Sequence, residues 1–363
     1  MTAAGVSPDP AARRRRVWAA VDERFGLSAL AYPVPPHANR IGYILGGITF
    51  FGFLILAGTG IWLASFYNAV PEAAHGSVLY IERVAPFGDW MHGIHFWTAN
   101  VVMATVLLHM GRVYATGAYK RPREGNWLIG LGLVALTLGL IFTGTVLKWD
   151  QEAYEALGHN IEAAGLLGAI GFWFSADFAA SLPILGRLYI AHIMILPGLG
   201  ALLMIAHFLL VKHHGISSQA GEADAALVGG PAPARGGSTF VAHLVRMAGF
   251  GLLILAGTLV VTILWAPPLG PAPVPGIEVT KPPWIFLPLY PFEDVFGLAA
   301  LLLVPALLFG GLALLPFLDR SPYRSWRRRR LVIGIGLVVV VALAVLCVYA
   351  ALSPAASHLA EGM

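Results

Sequence analysis

The chain has 363 residues, of which 58% are hydrophobic and only 12% are charged, and its mean hydropathy is +0.75. This composition excludes an ordinary soluble domain and is typical of a protein that crosses a membrane several times. Basic residues that anchor membrane segments account for the formal net charge of +4, so the charge does not indicate nucleic-acid binding.

The first segment combines a basic run with a short amphipathic stretch. Residues 1–12 are small and proline-containing, and we expect them to be disordered. Arginines 13–16 precede four apolar residues that share one face of a helix, Val17, Trp18, Val21 and Phe25. This pattern predicts a short helix on the membrane surface; the alternative is a flexible basic tail. We expect no cleavable signal peptide, because no sufficient apolar core follows the arginines.

Apolar runs long enough to cross a hydrocarbon core of about 30 Å as helices recur along the rest of the chain. They lie at about 41–66, 91–114, 127–147, 185–211, 240–264, 295–317 and 331–352. These runs predict an all-α transmembrane fold, a seven-helix bundle.

The basic residues predict the orientation of the bundle. Seven crossings place the N-terminus and the even-numbered linkers on one side, which collects 19 of the 23 lysines and arginines. By the positive-inside rule this side is cytoplasmic, and the C-terminus lies outside. We therefore expect a multi-pass protein of a bacterial inner membrane.

Four histidines in two of the apolar runs are the strongest functional signal. His95 and His109 are 14 positions apart, and His192 and His207 are 15 apart. Fourteen helical residues rise by about 21 Å and bring the second ring to within about 40° of the first. Histidines inside a membrane are functional candidates, although a histidine in an apolar helix can also be a hydrogen-bonded core residue. Because imidazole is an axial ligand of haem iron, the two helices predict a pair of stacked haems.

Glycines repeat the spacing of the histidines. Gly46 and Gly60 in the first run are 14 apart, as are Gly130 and Gly144 in the third. Glycine removes a side chain where a flat cofactor approaches the backbone, so these positions are candidates for a four-helix di-haem core. Glycine also packs membrane helices together without any cofactor.

Several motifs resemble one family. HMGR at 109–112, RVYATGAYKRPRE at 112–124, WDQ at 149–151 and HFLLVKHHGIS at 207–217 are similar to the di-haem cytochrome b subunit of quinol-oxidising bc and bf complexes. The 15-residue histidine spacing resembles the chloroplast-type member, and the resemblance extends from about residue 30 to 352.

The resemblance implies a division of the chain into four parts. Residues 1–39 form a cytoplasmic tail with the surface helix, and 40–216 the four-helix di-haem domain. A flexible cytoplasmic linker follows at 217–239, and 240–363 form a three-helix quinone-site domain. The four-helix and three-helix parts are separate polypeptides in chloroplast-type complexes, and here they look fused.

The resemblance also implies roles for individual residues around the haems. His95 with His192 would hold the outer haem, and His109 with His207 the inner one. Arg112 and Arg187 would neutralise haem propionates; they could instead only anchor the helices at the interface. The glycines would face the haems, and His92 would lie near the outer haem edge.

Quinone would bind near Lys212 and His213 on the cytoplasmic side, although both could be lipid-facing charges. On the outer side, KPPWIF stands where the family has a Pro-Glu-Trp-Tyr motif. This makes Trp284 a quinone-site candidate, but Pro283 replaces the glutamate that takes a quinol proton and Ile285 replaces the tyrosine. Lys148 replaces the proline before WDQ. Ile44 stands where the chloroplast type has a haem-binding cysteine, so a third haem is not expected.

Quinol oxidation releases protons and needs a base, which Pro283 cannot supply. The nearest downstream carboxylates are Glu293 and Asp294. We predict that one of them takes over this catalytic role, with His159 as a weaker candidate. The alternative is that the carboxylates cap the helix that follows.

The resemblance implies a di-haem b subunit of a respiratory quinol–cytochrome c reductase-type complex that carries electrons between two quinone sites. The expected partners are a Rieske iron–sulfur protein, a cytochrome c-type subunit, quinone, the lipid bilayer and a second copy of the complex. Two alternatives remain open. One is a cytochrome b that passes electrons to a different redox partner without bifurcation, and the other is a membrane anchor or transporter.

Overall fold

Within the described residues, seven helices are long and apolar enough to cross a membrane. The computed structural model describes residues 9–179, 181–230 and 237–359. The seven spans are Ile41–Ala64, Gly88–Ala115, Glu124–Leu147, Ile184–His214, Phe240–Leu264, Ala299–Leu318 and Arg330–Leu352. Their bounds differ from the predicted apolar runs by only a few residues, so the all-α transmembrane bundle is confirmed.

Because the number of described spans is odd, the segments just before the first span and just after the seventh lie on opposite faces of the bundle, here called the N-terminal side and the C-terminal side. The first and second spans pack together, and the fifth span packs against both. The third and fourth spans form a second pair. Small residues allow these close approaches: a Cβ built on Gly52 of the first span would lie 2.4 Å from Val102 of the second.

The N-terminal surface helix forms, but it begins earlier than predicted. It runs from Pro10 to Phe25, and the Asp9 side chain accepts a hydrogen bond from the backbone N–H of Ala11. The prediction of disorder for residues 1–12 is therefore wrong at 10–12, and 1–8 lie outside the described residues. Val17, Trp18 and Phe25 are exposed on this helix. Its position at the membrane surface stays a prediction.

The expected flexible linker contains regular structure in its described parts. Residues Ala220–Ala226 form a helix, and Ser238–Thr239 pairs antiparallel with Pro33–Val34. The buried Asp224 carboxylate accepts hydrogen bonds from the backbone N–H groups of Arg324 and Ser325, at 2.6 and 3.1 Å. The composition is that of a linker, and contacts with a distant loop order it.

A buried ion-pair network joins the two halves of the chain on the N-terminal side. Asp319 accepts hydrogen bonds from the Tyr119 hydroxyl at 2.6 Å, Lys120 Nζ at 2.8 Å and Arg329 Nε at 2.8 Å. Burial opposes ionisation, but the hydrogen bonds from Lys120 and Tyr119 and the charge of Arg329 hold the pKa of Asp319 below its ordinary value. The network fastens the loop after the second span to the loop after the sixth.

On the C-terminal side, a helix at Gln151–Gly165 organises the proline-rich loop that follows the fifth span. Gln151 Oε1 accepts from the Val274 N–H at 2.7 Å, and Glu155 Oε1 accepts from the Val279 N–H at 2.9 Å. The end of this loop has regular structure, because a 3-10 turn at Leu287–Leu289 leads into a helix at Tyr290–Phe296.

Candidate functional site

The two histidines nearest the C-terminal side face each other across the bundle. The ring centres of His95 and His192 are 6.2 Å apart, and the rings are inclined at 61°. A metal–imidazole bond is about 2.0–2.1 Å long, and the ring centre lies about 1.1 Å beyond the nitrogen, so two rings on opposite sides of one metal ion have centres about 6 Å apart. The separation of this pair therefore fits ligation of a single iron between them.

Threonines fix the tautomer of both rings. Thr59 Oγ1 lies 2.9 Å from His95 Nδ1 and donates its own proton to the Ile55 carbonyl oxygen at 2.8 Å. Because the Thr59 hydroxyl donates its only proton to a carbonyl oxygen, it must accept a hydrogen bond from the imidazole. His95 Nδ1 therefore carries the proton, and Nε2 keeps a lone pair. Thr143 acts in the same way on His192, with distances of 2.9 Å to Nδ1 and 2.8 Å to the Gly139 carbonyl oxygen. Both Nε2 atoms are thus prepared to bind a metal.

The second pair, His109 and His207, lies nearer the N-terminal side. The Nδ1 atoms of both rings are buried and have no hydrogen-bond partner among the described residues. Within the described part of the chain, neither ring has a counterpart of the threonines that hold His95 and His192.

All four predicted glycines lie against a histidine ring. A Cβ would lie 3.1 Å from His109 Cε1 at Gly46 and 3.3 Å from His95 Cε1 at Gly60. It would lie 3.7 Å from His207 Cε1 at Gly130 and 3.1 Å from His192 Cε1 at Gly144. The matching spacing therefore makes room for the imidazoles, with one glycine for each histidine.

A π-helical turn explains why His192 and His207 are separated by one residue more than His95 and His109 are. The fourth span has this turn at Ala191–Ile195, where the Leu196 N–H donates to the Ala191 carbonyl oxygen. Pro197 follows directly and lacks the N–H that an α-helix would need there. A π turn holds one more residue than an α turn, so 15 positions in this span cover nearly the same rotation as 14 in the second span.

The two arginines have different surroundings. The Arg187 guanidinium donates to the backbone carbonyls of Trp173 and Ser175, the latter at 2.8 Å. The Arg112 guanidinium lies 3.6 Å above the Tyr43 ring and 3.5 Å from Ser217 Oγ. The Nε atoms of both are buried without a partner among the described residues. Arg112 therefore keeps more of its donors available for an anion than Arg187 does.

The residues predicted to bind quinone lie on opposite sides of the bundle. Lys212 Nζ is 6.0 Å from the Tyr32 ring, and His213 contacts the His214 ring with centres 4.7 Å apart. Trp284 donates its Nε1–H to Asn100 Oδ1 at 2.7 Å. This hydrogen bond joins the proline-rich loop to the second span, which carries His95 and His109.

Ile285 and His92 were also singled out in the sequence, and each has a defined contact. Ile285, which replaces the family tyrosine, packs with Met103 and Val134. His92 Nδ1 lies 2.9 Å from Glu82 Oε1. The role of His92 as a neighbour of the outer haem edge stays a prediction.

The structure brings Glu293 and His159 together. Glu293 Oε1 lies 3.4 Å from His159 Nε2 and is buried, and burial raises the pKa of Glu293. Asp294 is more exposed, and its Oδ1 accepts from His358 Nε2 at 2.7 Å. Neither carboxylate caps the helix that follows: Leu298 is the N-cap of the sixth span, Ala299–Leu318, and this helix end has no side-chain cap within the described residues. The capping alternative is therefore wrong.

Sequence reasoning missed the threonines, Asn100 and the neighbours of Glu293. A threonine stands directly before Gly60 and another directly before Gly144, the two glycines that lie against His95 and His192. That regularity was available in the sequence. The proximity of His358 and Glu278 to Glu293 had no such signal.

Comparisons with known proteins agree with this geometry. The family model for cytochrome b(N-terminal)/b6/petB matches residues 100–275, which include three of the four histidines. Cytochrome b6 of Heliobacterium mobile is 41% identical over 190 residues, 51% of this chain and 89% of that protein. The cytochrome bc complex cytochrome b subunit of Chlorobaculum thiosulfatiphilum is 33% identical over 305 residues, 79% of this chain and 68% of that protein.

The fold has a solved counterpart. A chain of a hyperthermophilic respiratory Complex III superposes with a TM-score of 0.78 at 23% identity, covering 92% of this chain and 91% of that one. It supports the arrangement of helices alone. From the sequence relatives together with the family model, the chain belongs to the cytochrome b family of bc-type complexes, a family of b-type haem proteins.

Proposed function

We propose that this chain is the di-haem membrane subunit of a respiratory quinol–cytochrome c reductase-type complex. The observation that carries the proposal is the fourfold set of histidines, each packed against its own glycine. In the proposed complex, electrons from quinol cross the membrane through this subunit toward a second quinone site. A membrane anchor or transporter would have no need for this set.

Each histidine pair would hold one b-type haem. His95 and His192 would bind the haem on the C-terminal side, and His109 and His207 the haem on the N-terminal side. Bound haem supplies one-electron transfer. The chain would supply the ligating nitrogens, and its glycines would leave space for the histidine rings. Arg112 would provide a positive charge for the haem propionates, and Arg187 would contribute less because its guanidinium already donates to backbone carbonyls.

The proposed orientation follows the charge distribution. The N-terminal side carries most of the lysines and arginines and would be cytoplasmic in a bacterial inner membrane. Quinol would then be oxidised on the C-terminal side, near Trp284, and quinone would bind near Lys212 and His213. The proposed partners are a Rieske iron–sulfur protein and a cytochrome c-type subunit, in a dimeric complex.

Glu293 is the proposed proton acceptor for quinol oxidation, with His159 beside it. A general base needs a pKa near the working pH, and the burial that raises the pKa of Glu293 acts in that direction. Asp294 is the lesser candidate, because its carboxylate already holds the His358 ring.

Quinol oxidation by the purified complex tests this proposal. We expect the wild-type complex to reduce cytochrome c with quinol, and Glu293→Gln to lower the turnover by about 10²- to 10⁴-fold, the usual contribution of a general base. Asp294→Asn should have a smaller effect. The measurement is steady-state turnover against pH in variants that retain both haems.

The outcomes are distinguishable. Turnover and pH dependence unchanged in both variants would eliminate the relocated base. Absence of quinol-dependent cytochrome c reduction in the wild type would instead favour a cytochrome b that serves another redox partner without bifurcation.

A further inference from the structure

Two histidines and two buried carboxylates meet outside the seven spans, on the C-terminal side. They come from four separate segments of the chain: His159, Glu278, Glu293 and His358. The side chains of Glu278 and Glu293 are 4% and 3% exposed, and those of His358 and His159 are 10% and 17% exposed. The cluster is thus nearly closed, with an opening at His159.

Hydrogen bonds outside the cluster fix both imidazoles. His159 Nδ1 lies 2.8 Å from the Glu155 carbonyl oxygen, which can only accept, so Nδ1 carries the proton. His358 Nε2 lies 2.7 Å from Asp294 Oδ1. Each ring therefore uses one nitrogen as an external donor and turns the other toward the carboxylates. Metal-binding histidines are typically held in this way by a carbonyl or a carboxylate.

The inward-facing atoms are two imidazole nitrogens and the oxygens of two carboxylates. His159 Nε2 is 3.1 Å from Glu278 Oε1 and 3.4 Å from Glu293 Oε1, and His358 Nδ1 is 3.6 Å from Glu278 Oε1. Nitrogen and oxygen atoms of this kind are ligands of a divalent cation. Four ligands at about 2.0–2.1 Å from a tetrahedral zinc ion are about 3.3–3.4 Å from each other. These three separations are close to that value.

Two of these atoms lack another partner. Glu293 Oε1 and His358 Nδ1 are buried and form no hydrogen bond within the described part of the chain. The facing atoms of His159, Glu293 and His358 all lie within 4.8 Å of one another. Unpaired buried acceptors that converge on one point are the arrangement expected of a cation site.

We propose that His159, Glu278, Glu293 and His358 bind one divalent cation of the zinc type. Two imidazoles and two carboxylates suit zinc better than magnesium or calcium, which prefer oxygen ligands alone. Glu278 Oε2 also accepts from the backbone N–H groups of His358 and Leu359, at 2.7 and 3.0 Å. The ion would fasten the C-terminal segment to the proline-rich loop.

The metal site is independent of the proposed electron transfer, but it shares Glu293 with the proposed proton acceptor. A carboxylate oxygen that binds a divalent cation does not accept a proton at the same time. The test therefore measures metal directly rather than turnover.

Zinc bound by the purified complex tests the site. The complex is incubated with Zn²⁺, freed of excess by gel filtration, and analysed for zinc and haem by mass spectrometry and absorbance. The wild type should retain one more zinc per chain than His358→Ala or Glu278→Gln. Zinc-edge X-ray absorption should show four nitrogen and oxygen ligands, two of them imidazoles. Asp294→Asn should weaken zinc affinity by about 10- to 100-fold, because Asp294 orients a ligand without binding the ion.

His75→Ala is the matched control. His75 also lies on the C-terminal side, where its Nε2 is 3.0 Å from the Gly270 carbonyl oxygen, but it is not part of the cluster. It should keep the zinc, and unchanged haem spectra show that each variant is folded. Equal zinc in the wild type and His358→Ala, or no retained zinc in the wild type, would overturn the proposal.

Discussion

Replacing His109 or His207 by leucine should remove the haem on the N-terminal side and leave the other haem in place. Each iron would be held by two histidines on separate helices, and leucine has no lone pair to replace either one. Reduced-minus-oxidised spectra should therefore lose about half of the b-haem absorbance. The reciprocal changes, His95→Leu and His192→Leu, should remove the haem on the C-terminal side.

His214→Leu is the control for these substitutions. His214 lies in the same span as His207, and its ring contacts His213. This variant should keep both haems. Two intact low-spin haems in either His109→Leu or His207→Leu would show that the proposed pairing is wrong.

A leucine at Gly60 should displace the haem on the C-terminal side as completely as loss of a ligand. Even a Cβ there would be 3.3 Å from His95 Cε1, which is tight, and the branched side chain needs the volume that the ring occupies. The ring has little freedom to move, because Thr59 holds its Nδ1 at 2.9 Å. The measurement is haem content of the purified variant.

Gly58 provides a matched control two residues away in the same span. A Cβ there meets nothing within 4 Å among the described residues, so Gly58→Leu should keep both haems. Equal haem content in the two variants would mean that the glycine does not make room for the ligand.

The sequence predicted the spans and the positions of the histidines well, for a physical reason. Long apolar runs are a strong signal of transmembrane helices, because a backbone surrounded by lipid must form its hydrogen bonds internally. The histidines and glycines repeat at a helical spacing that can be read directly. The π turn was harder to see, although Pro197 marks the place where an α-helical hydrogen bond is lost.

The parts that sequence reasoning missed depend on tertiary contacts. The linker helix Ala220–Ala226 has a composition typical of a flexible segment, and hydrogen bonds from Arg324 and Ser325 to Asp224 hold it in place. His159 and His358 are 199 positions apart, and the helix Gln151–Gly165 and the C-terminal segment bring them together. No spacing rule connects such positions.

The most direct test of the account is the number of b-type haems bound by each chain in the purified complex. Pyridine haemochrome absorbance, compared with the amount of this subunit, gives that number. We expect two non-covalently bound b haems per chain, one for each histidine pair. A value of one would contradict the paired arrangement, and a value of zero would contradict the proposed function of the subunit as an electron carrier.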